Sequence, residues 1–279
     1  MKEKSILVTG ISSGIGLSCT KTLLAEGYTV FGSLRTKNNK IEQMLTEIGL
    51  FHPIYFDVQD MESIENAFLE VQDKTQDEAL VGIVNNAGYA LPGPLLHLSD
   101  DEIQKQLDVN VVGIIRVTNT FFPLLKTSAI ENKTKIINIS STSATLTNPF
   151  LGAYSMSKYA VESLTDAYRR EFLDYKIDVI SVRPGPTKTK IWQKSIGKLD
   201  RFKETDYGPL LENSDSQLQR LDNTALPVDK VGQLISKIFA TKNPKTKYTI
   251  MKGSWGLKIL RLLPDRVIDR IIWKHLKNA

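Results

Sequence analysis

The sequence predicts an α/β fold, with one doubly wound parallel sheet and helices on both of its faces. Short apolar runs that end at glycine, proline or polar clusters alternate with longer segments of helical periodicity. The chain has 279 residues, of which 41% are hydrophobic, so it can bury one large core, and no linker divides it. Right-handed crossovers make 3-2-1-4-5-6-7 the expected strand order of a single domain over residues 1–279.

The expected strands are the apolar runs, each followed by a turn signal. They cover residues 5–9, 28–33, 53–56, 79–84, 136–141, 177–182 and 248–251. The clearest helix begins with a capping box at Ser99–Glu102 and extends to Leu125. Further helices are expected from the first glycine turn to Glu26 and over residues 37–48, 61–71, 152–175 and 227–241.

The amino-acid composition indicates which binding partners and which cellular compartment to expect. The net charge is +5 and the pI is about 9.0, but acidic and basic residues are interleaved, so no nucleic-acid partner is expected and an anionic small-molecule cofactor fits better. Cys19 is the single cysteine, which excludes a disulfide within the chain, and no metal site is predicted. No apolar run reaches the ~18 residues of a membrane span. Because the first strand begins at Ser5, a cytoplasmic protein without a signal peptide is expected.

The first strand ends in the glycine-rich turn Gly10–Gly16, which leads into a helix. Glycines let the backbone approach a pyrophosphate, whose charge is met there by free amides and by the positive end of the helix dipole. The spacing Gly-x-x-x-Gly-x-Gly differs from the common dinucleotide fingerprint Gly-x-Gly-x-x-Gly. Because the turn opens the first βαβ unit, it predicts phosphate binding, and a glycine turn without a ligand is the alternative.

The second strand ends at Leu34 and Arg35, where a carboxylate would bind the ribose of NAD. No carboxylate is present, and Arg35 can pair with a 2′-phosphate, so these residues favour NADP(H) over NAD(H). The alternative is a solvated arginine at a strand end. Asp57 follows the third strand and is expected either to accept a hydrogen bond from an adenine amine or to cap the next helix.

Two further candidate site positions contain asparagine. The segment Asn85–Gly88 follows the fourth strand, at the carboxyl end where parallel sheets bind ligands. Asn110 lies in the middle of the long helix, where asparagine is unfavourable. Its neighbours Val109, Val111 and Val112 favour a buried polar bridge over a solvated position.

Tyr154 and Lys158 stand four residues apart, on one face of the helix that begins at Gly152. An ammonium group ~4 Å from a phenol, in an effective dielectric of ~20, stabilises the phenolate by about 4 kcal/mol, or roughly three pKa units. The pair is therefore expected to lower the pKa of Tyr154 and to suit it for proton transfer near neutral pH. Tyr248 and Lys252 have the same spacing, but in a strand-like run where such residues lie roughly 13 Å apart.

Two segments follow the sixth strand without a clear place in the sheet. Residues 187–226 are polar and irregular, which is typical of a lid over a substrate. The tail, residues 256–279, contains an amphipathic helix expected to begin at Pro264. Its apolar stripe is Val267, Ile268, Ile271, Ile272 and Leu276, and its basic face is Arg266, Arg270, Lys274 and Lys277. The helix either packs on the body or on a second subunit, or it walls an apolar pocket and rests on a membrane surface.

Six motifs occur together in one order. They are Thr9–Gly16, Asn85–Gly88, Asn110, Ser141, Tyr154-x-x-x-Lys158 and Pro184–Gly185. Over residues 5–251 the chain thereby resembles the short-chain dehydrogenase/reductase family, with its Rossmann-type fold, and within it the hydroxysteroid and retinol dehydrogenase-like members. The resemblance implies that Tyr154 is the acid/base, that Lys158 lowers its pKa and holds the nicotinamide ribose, and that Ser141 orients the substrate oxygen. Asn110 is implied to position a water that relays protons from Lys158.

The resemblance also implies which residues contact the cofactor. They are Gly10, Ser12, Ser13, Gly14, Ile15, Gly16, Arg35, Asp57, Val58, Asn85, Ala87, Gly88, Tyr154, Lys158, Pro184, Gly185, Thr187 and Thr189. Ser13 departs from the pattern, since many NADP-using members have a basic residue there. The cofactor preference therefore depends on Leu34 and Arg35.

The expected function is NADP(H)-dependent interconversion of an alcohol and a carbonyl compound by hydride transfer. The expected substrate is small and lipophilic, such as a steroid or retinoid, and the family implies a homodimer or homotetramer. A non-catalytic NADP-sensing or scaffold protein is the alternative, because a fold does not determine a function. A peripheral membrane module built on the C-terminal helix is a third interpretation.

Overall fold

In the computed structural model, the described residues are 4–75, 79–189, 197–212, 225–253, 256, 260 and 262–277. Their centre is a seven-stranded sheet with the predicted order 3-2-1-4-5-6-7. The strands are β1 (Lys4–Val8), β2 (Thr29–Leu34), β3 (Phe51–Tyr55), β4 (Ala79–Asn85), β5 (Thr134–Ile139), β6 (Ile177–Pro184) and β7 (Lys247–Ile250). Every pairing is parallel, so the carboxyl ends of all seven strands reach the same edge of the sheet.

The helices connect the strands and cover both faces of the sheet. They are α1 (Gly14–Ala25), α2 (Asn39–Thr46), α3 (Met61–Lys74), α4 (Asp100–Leu107), α5 (Gly113–Ser128), α6 (Gly152–Glu171), α7 (Gly208–Leu211), α8 (Val228–Ala240) and α9 (Asp265–Lys277). On β1, Ile6 and Val8 face one apolar core, which includes α1 and α8, while Leu7 faces the other, which includes α3 and α5. This alternation is the period of a strand buried on both faces.

The long helix predicted over Ser99–Leu125 is interrupted. Its capping box is present, because Ser99 Oγ accepts from Glu102 N at 3.3 Å and Glu102 Oε2 accepts from Ser99 N at 3.1 Å. However, α4 ends at Leu107, a π-helical turn spans Asp108–Val112, and α5 continues from Gly113. Asn110 lies in this turn, and π-helical turns are frequent at functional sites.

The predicted lid and tail are described in part. Of the lid, residues 190–196 and 213–224 lie outside the described residues, while Leu199, Phe202 and Leu211 are buried in a third apolar cluster. Of the tail, α9 is described, with Ile268 buried and Ile271 exposed. Within the described part of the chain, no helix has the length and apolar character of a membrane span.

Candidate active site

A cavity of about 700 Å³ lies at the carboxyl edge of the sheet. Its walls come from the turn after β1, the ends of β2 and β3, the segments after β4, β5 and β6, and the first turns of α6. The chain reverses its direction of winding between β1 and β4 in this strand order, and doubly wound sheets bind ligands at that point.

The turn after β1 forms one end of the cavity. Gly10 has a φ of +70°, and its amide donates to Ser33 Oγ at 3.0 Å, which fixes the turn beside β2. Asn86 Nδ2 donates to the carbonyls of Thr9 and Gly10 at 2.9 and 3.0 Å, so the segment after β4 holds the same turn. A Cβ at Gly16 would collide with Asn86 Nδ2 and with Gly10 O. Gly16 therefore supports the close packing of the turn from behind the cavity wall.

The first turn of α1 gives this end of the cavity a positive potential. The helix begins at Gly14, its N-cap residue Ser13 makes no side-chain capping bond, and its first turn contains no acidic residue. The leading amides and the positive end of the dipole thus face the cavity, where they fit the pyrophosphate of a dinucleotide. Among the described residues, no group of three His, Cys, Asp or Glu side chains could hold a metal ion.

Ser141, Tyr154 and Lys158 lie together at the other end of the cavity. Ser141 follows β5 and hydrogen-bonds to the Tyr154 phenol, and its Oγ accepts from Ser143 N at 3.0 Å. Lys158 lies one turn after Tyr154 on α6, and its Nζ donates to Ile139 O at 2.8 Å. The same Nζ is 5.7 Å from the centre of the Tyr154 ring. A hydroxyl, a phenol and an ammonium group therefore converge on one point.

Burial shifts the pKa values of Tyr154 and Lys158. It raises the pKa of Tyr154, and the hydrogen bond with Ser141 offsets this only in part. It also lowers the pKa of Lys158 to about 8, against the opposing charge of Glu162. The expected fall of the Tyr154 pKa is therefore wrong for these residues alone. Tyr154 and Lys158 are only 7% and 6% exposed, and the cost of desolvating a phenolate exceeds the stabilisation from an ammonium group at this distance.

A buried charge cluster lies behind Lys158. Glu162, one turn further along α6, accepts from Ser181 Oγ and from Arg183, whose Nε is at 2.8 Å. Lys247 Nζ of β7 lies 3.7 Å from the same carboxylate. Although burial raises the pKa of Glu162, the hydrogen bonds from Arg183 and Ser181 hold it below its usual range. Glu162 therefore keeps its negative charge, one helical turn from the Lys158 ammonium group.

Asn110 is fully buried and does not line the cavity. Its Oδ1 accepts from Tyr89 N at 3.0 Å, and its Nδ2 donates to Tyr89 O at 2.9 Å and to Ser157 Oγ at 3.0 Å. Ser157 Oγ in turn donates to Tyr154 O at 2.7 Å. Asn110 is thus the polar bridge that its apolar neighbours predicted. Both of its amide hydrogens are used by the protein, so only Oδ1 can accept from a water.

Leu34 and Arg35 lie at the rim of the cavity where β2 ends. Leu34 is buried, whereas the Arg35 side chain is 79% exposed, with its NH1 4.0 Å from Asp57 Oδ2. Asp57 Oδ1 accepts from Gln59 N at 3.0 Å, and it is Asp60 that caps α3. Of the two alternatives for Asp57, capping of the next helix is therefore wrong, and the contact with an adenine amine stays a prediction. The guanidinium of Arg35 is loosely paired and open to solvent.

The end of β6 and the segment after it close the cavity with Pro184, Gly185, Thr187 and Thr189. A Cβ at Gly185 would lie 2.5 Å from Met251 Cβ, so this residue packs tightly beside the end of β7. Thr187 Oγ1 donates to Gly185 O at 2.9 Å, and its backbone pairs with Leu226. This bridge holds both ends of the predicted lid beside the cavity.

The second tyrosine–lysine pair, Tyr248 and Lys252, lies in a different environment from Tyr154 and Lys158. Tyr248 lies in β7, and its hydroxyl accepts from Lys245 N at 2.9 Å. Neither Tyr248 nor Lys252 lines the cavity. Equal spacing on a strand therefore gives none of the convergence found on α6.

Most of the predicted site residues line the cavity. They are Gly10, Ser12, Ser13, Gly14, Ile15, Arg35, Asp57, Val58, Ala87, Gly88, Ser141, Tyr154, Lys158, Pro184, Gly185, Thr187 and Thr189. Asn85 does not, because its side chain turns inward at the end of β4. Its Nδ2 donates to Thr118 Oγ1 at 3.1 Å and to Asn138 Oδ1 at 2.9 Å. The side chain of Asn85 therefore ties β4 to α5 and β5, and the predicted contact of this residue with the cofactor stays a prediction.

Other lining residues were not predicted as site residues. Asn86 holds the glycine turn, and its place within the predicted ligand-binding segment Asn85–Gly88 is a signal that could have identified it. Asn148, Leu151 and Lys198 also line the cavity. They belong to irregular segments in which no motif or periodicity identifies them.

The fold and the cavity define a dinucleotide-dependent oxidoreductase on a Rossmann-type sheet. The family model for short chain dehydrogenase matches residues 4–199. The chain is 37% identical to the NADPH-dependent 3-dehydrocapnine reductase of Ornithobacterium rhinotracheale, over 98% of this chain and 97% of that protein. The chain belongs to the short-chain dehydrogenase/reductase family, whose members act on alcohol and carbonyl groups, and this confirms the resemblance of its motifs.

Two further similarities concern the subgroup and the fold. Retinol dehydrogenase 5 of Homo sapiens is 28% identical over 98% of this chain and 89% of that protein. A short-chain dehydrogenase from Streptomyces avermitilis has a TM-score of 0.77 at 22% identity, over 100% of this chain and 98% of that one. Retinol dehydrogenases are thus among the relatives, and the second likeness shows the fold alone.

Proposed function

We propose that the protein reduces a lipophilic ketone or aldehyde, or oxidises the corresponding alcohol, and that it uses NADP(H). The observation that carries the proposal is one cavity with Ser141, Tyr154 and Lys158 at one end and the N-terminus of α1 at the other. A nicotinamide cofactor held along this cavity supplies or accepts the hydride. The chain's own residues hold the substrate oxygen and move its proton.

Tyr154 is the proposed acid of the reduction. A carbonyl oxygen placed at the meeting point of Ser141 and Tyr154 can accept hydrogen bonds from both hydroxyls, and the phenol then gives its proton as the alcohol forms. The phenolate left behind is stabilised by the Ser141 hydroxyl and by the Lys158 ammonium group. Because the pKa of Lys158 is about 8, this charge is present at neutral pH.

The proposed preference for NADPH over NADH depends on the two residues at the cavity rim where β2 ends. Leu34 offers no carboxylate to a ribose, and the exposed guanidinium of Arg35 can form charge-assisted bonds with a 2′-phosphate. The similar protein from O. rhinotracheale is named as NADPH-dependent. Both observations support NADPH over NADH.

The proposed substrate is lipophilic because several apolar side chains line the cavity. Leu146, Leu151 and Met251 line it. The name of one relative, a retinol dehydrogenase, also supports an apolar substrate. The described part of the lid packs Leu199 and Phe202 into the adjacent apolar cluster.

A homodimer or homotetramer formed through the long helices is part of the proposal. Met156 and Tyr159 are exposed on the outer face of α6, and Val112 is exposed just before α5. Exposed apolar side chains on neighbouring helices are typical of subunit interfaces. Light scattering after size-exclusion chromatography measures the oligomer directly.

The experiment that tests the function is a substrate panel. Aliphatic, steroid and retinoid carbonyl compounds are each mixed with the protein and NADPH, and the loss of NADPH absorbance is followed. Turnover of at least one apolar carbonyl compound supports the proposal. Calorimetric binding of NADPH without turnover of any compound would instead favour the non-catalytic, NADP-sensing interpretation.

A further inference from the structure

A second groove, of about 590 Å³, lies between α9 and the segment that precedes α6. Most of its walls are apolar or aromatic side chains. They include Leu95, Phe150, Tyr207, Ile272 and Trp273. A groove of this volume and lining is suited to an apolar ligand.

The groove meets the catalytic cavity at Asn148. This residue lines both spaces, while Leu151 lines the cavity and Gly152 lines the groove. The segment 148–152 is therefore the partition between them. It leads directly into α6, so Gly152 of the groove wall lies two residues before Tyr154.

The partition is held in an unusual backbone conformation. Phe150 has a φ of +62°, which is rare for an aromatic residue and is typical of strained functional segments. Its carbonyl accepts from Gly93 N at 2.8 Å, and its ring meets that of Tyr207 edge to face at 5.7 Å. A Cβ at Gly152 would lie 2.6 Å from Leu95 Cδ1, so the floor of the groove is closely packed. The groove is thus built by specific contacts.

The walls leave apolar surface open to solvent. Leu95 is 55% exposed and Trp273 is 48% exposed, although both line a concave space. Lys277 Nζ lies 5.2 Å from the centre of the Trp273 ring, which orients the indole on α9. A hydrocarbon chain that covers such surface gains affinity by about fourfold for each methylene removed from water.

We propose that this groove binds an aliphatic chain of the substrate, whose carbonyl group lies at Tyr154 and whose chain passes Asn148 toward α9. The inference rests on the proposed function and narrows its substrate to a carbonyl compound with a long hydrocarbon chain. Leu95 and Phe150 contact the chain from the body, and Ile272 and Trp273 contact it from α9. The exposed Asp269 and Arg270 lie at the solvent edge of the groove, where the chain ends.

A series of straight-chain 2-ketones, from about four to about twelve carbons, tests this groove. In the wild-type enzyme kcat/KM should rise with length, by up to about fourfold for each methylene, until the groove is filled. Trp273→Ala and Ile272→Ala should each lower kcat/KM for the longest ketone by about tenfold and for the shortest by less than about twofold. Val267→Ala is the matched control, because Val267 lies on α9 outside the groove. Equal losses on short and long ketones, or a rate independent of length, would overturn the proposal.

A binding measurement separates failure of the groove from failure of the proposed function. Quenching of tryptophan fluorescence by a bromine-labelled dodecyl alcohol is followed in the wild-type protein and in Trp273→Phe. Loss of most of the quenching in the variant supports the groove even if no ketone is reduced. Absent quenching in the wild type, or equal quenching in both proteins, overturns the groove whatever the activity.

Discussion

Glu162 lies one helical turn beyond Lys158 on α6, and its carboxylate opposes the effect of burial on the Lys158 pKa. Burial lowers that pKa, and the charge of Glu162 limits the fall, which leaves the value at about 8. Glu162 is held in turn by Ser181 and Arg183 of β6. It therefore acts on the cavity through Lys158 without lining the cavity itself.

Replacing Glu162 should change the pH dependence of the reaction. The charged form of Lys158 is present below its pKa of about 8 and is lost as pH rises through that value, so reduction should fall on the alkaline side. Glu162→Gln removes the charge that favours the ammonium form. The alkaline fall in kcat/KM should then move to lower pH by at least about half a unit, which corresponds to about 0.7 kcal/mol. The measurement is kcat/KM between about pH 6 and pH 10.

Asp166→Asn is the control for this prediction. Asp166 also lies on α6 and pairs with Lys247 at 2.9 Å, but it is two turns from Lys158, so the alkaline fall should stay in place. Glutamine at position 162 retains an acceptor for Arg183, and thermal unfolding shows whether the variant remains folded. A folded Glu162→Gln protein with an unmoved pH profile would contradict the electrostatic role.

Tyr154→Phe should remove the proton donor and keep the ring. We expect turnover to fall at least about 100-fold, which is the usual scale of lost acid/base catalysis, while NADPH binding stays within about twofold. Tyr159→Phe is the control, since Tyr159 is exposed and lies outside the cavity. Stopped-flow turnover and calorimetry give the two quantities. Near-normal turnover in Tyr154→Phe would refute the assignment.

Arg35→Ala should weaken NADPH binding and spare NADH. Charge-assisted hydrogen bonds contribute about 1.5–3 kcal/mol, so the Kd for NADPH should rise at least about tenfold. Lys37→Ala is the control, because Lys37 is also exposed but does not line the cavity. Leu34→Asp is a less direct test, since Leu34 is buried in the core and an aspartate there would bury a carboxylate. An unmutated protein that binds NADH more tightly would contradict the preference.

The parts of the site that the sequence predicted are those set by regular periods. Parallel strands place their carboxyl ends on one edge of the sheet, so Ser141 after β5 and the turn after β1 had to lie along the same edge. Helical spacing placed Tyr154 and Lys158 on one face of α6. Both inferences need only local patterns and the direction of the chain.

The parts that the sequence did not predict depend on non-local contacts. The orientation of Asn85 changes with a single residue at the end of β4, and a strand's end is where its alternation is least defined. The partition at residues 148–152 depends on Phe150 in a left-handed conformation that its residue type disfavours. The setting of Glu162 requires Arg183 from β6 and Lys247 from β7, which only the folded sheet brings together.

The outer face of α9 indicates how the protein could approach a membrane. Ile268 is buried and Ile272 faces the groove, whereas Val267 and Ile271 are exposed, so only part of the apolar stripe packs on the body. The exposed face carries Arg266, Arg270, Lys274 and Lys277. We expect α9 to approach a membrane through its basic face, with the exposed Val267 and Ile271 beside it.

We therefore expect membrane binding that salt abolishes. The wild-type protein should co-sediment with vesicles that contain anionic lipid at low ionic strength and should be released at about 1 M salt, where the Debye length is about 3 Å. Reversing the four basic residues of α9 to glutamate should prevent sedimentation, whereas neutral vesicles should retain neither protein. Retention on neutral vesicles at high salt would contradict this prediction, because it would require binding through the apolar side chains of α9 instead of through its charge. Absence of sedimentation under all conditions would also contradict it and would leave α9 as a wall of the substrate groove alone.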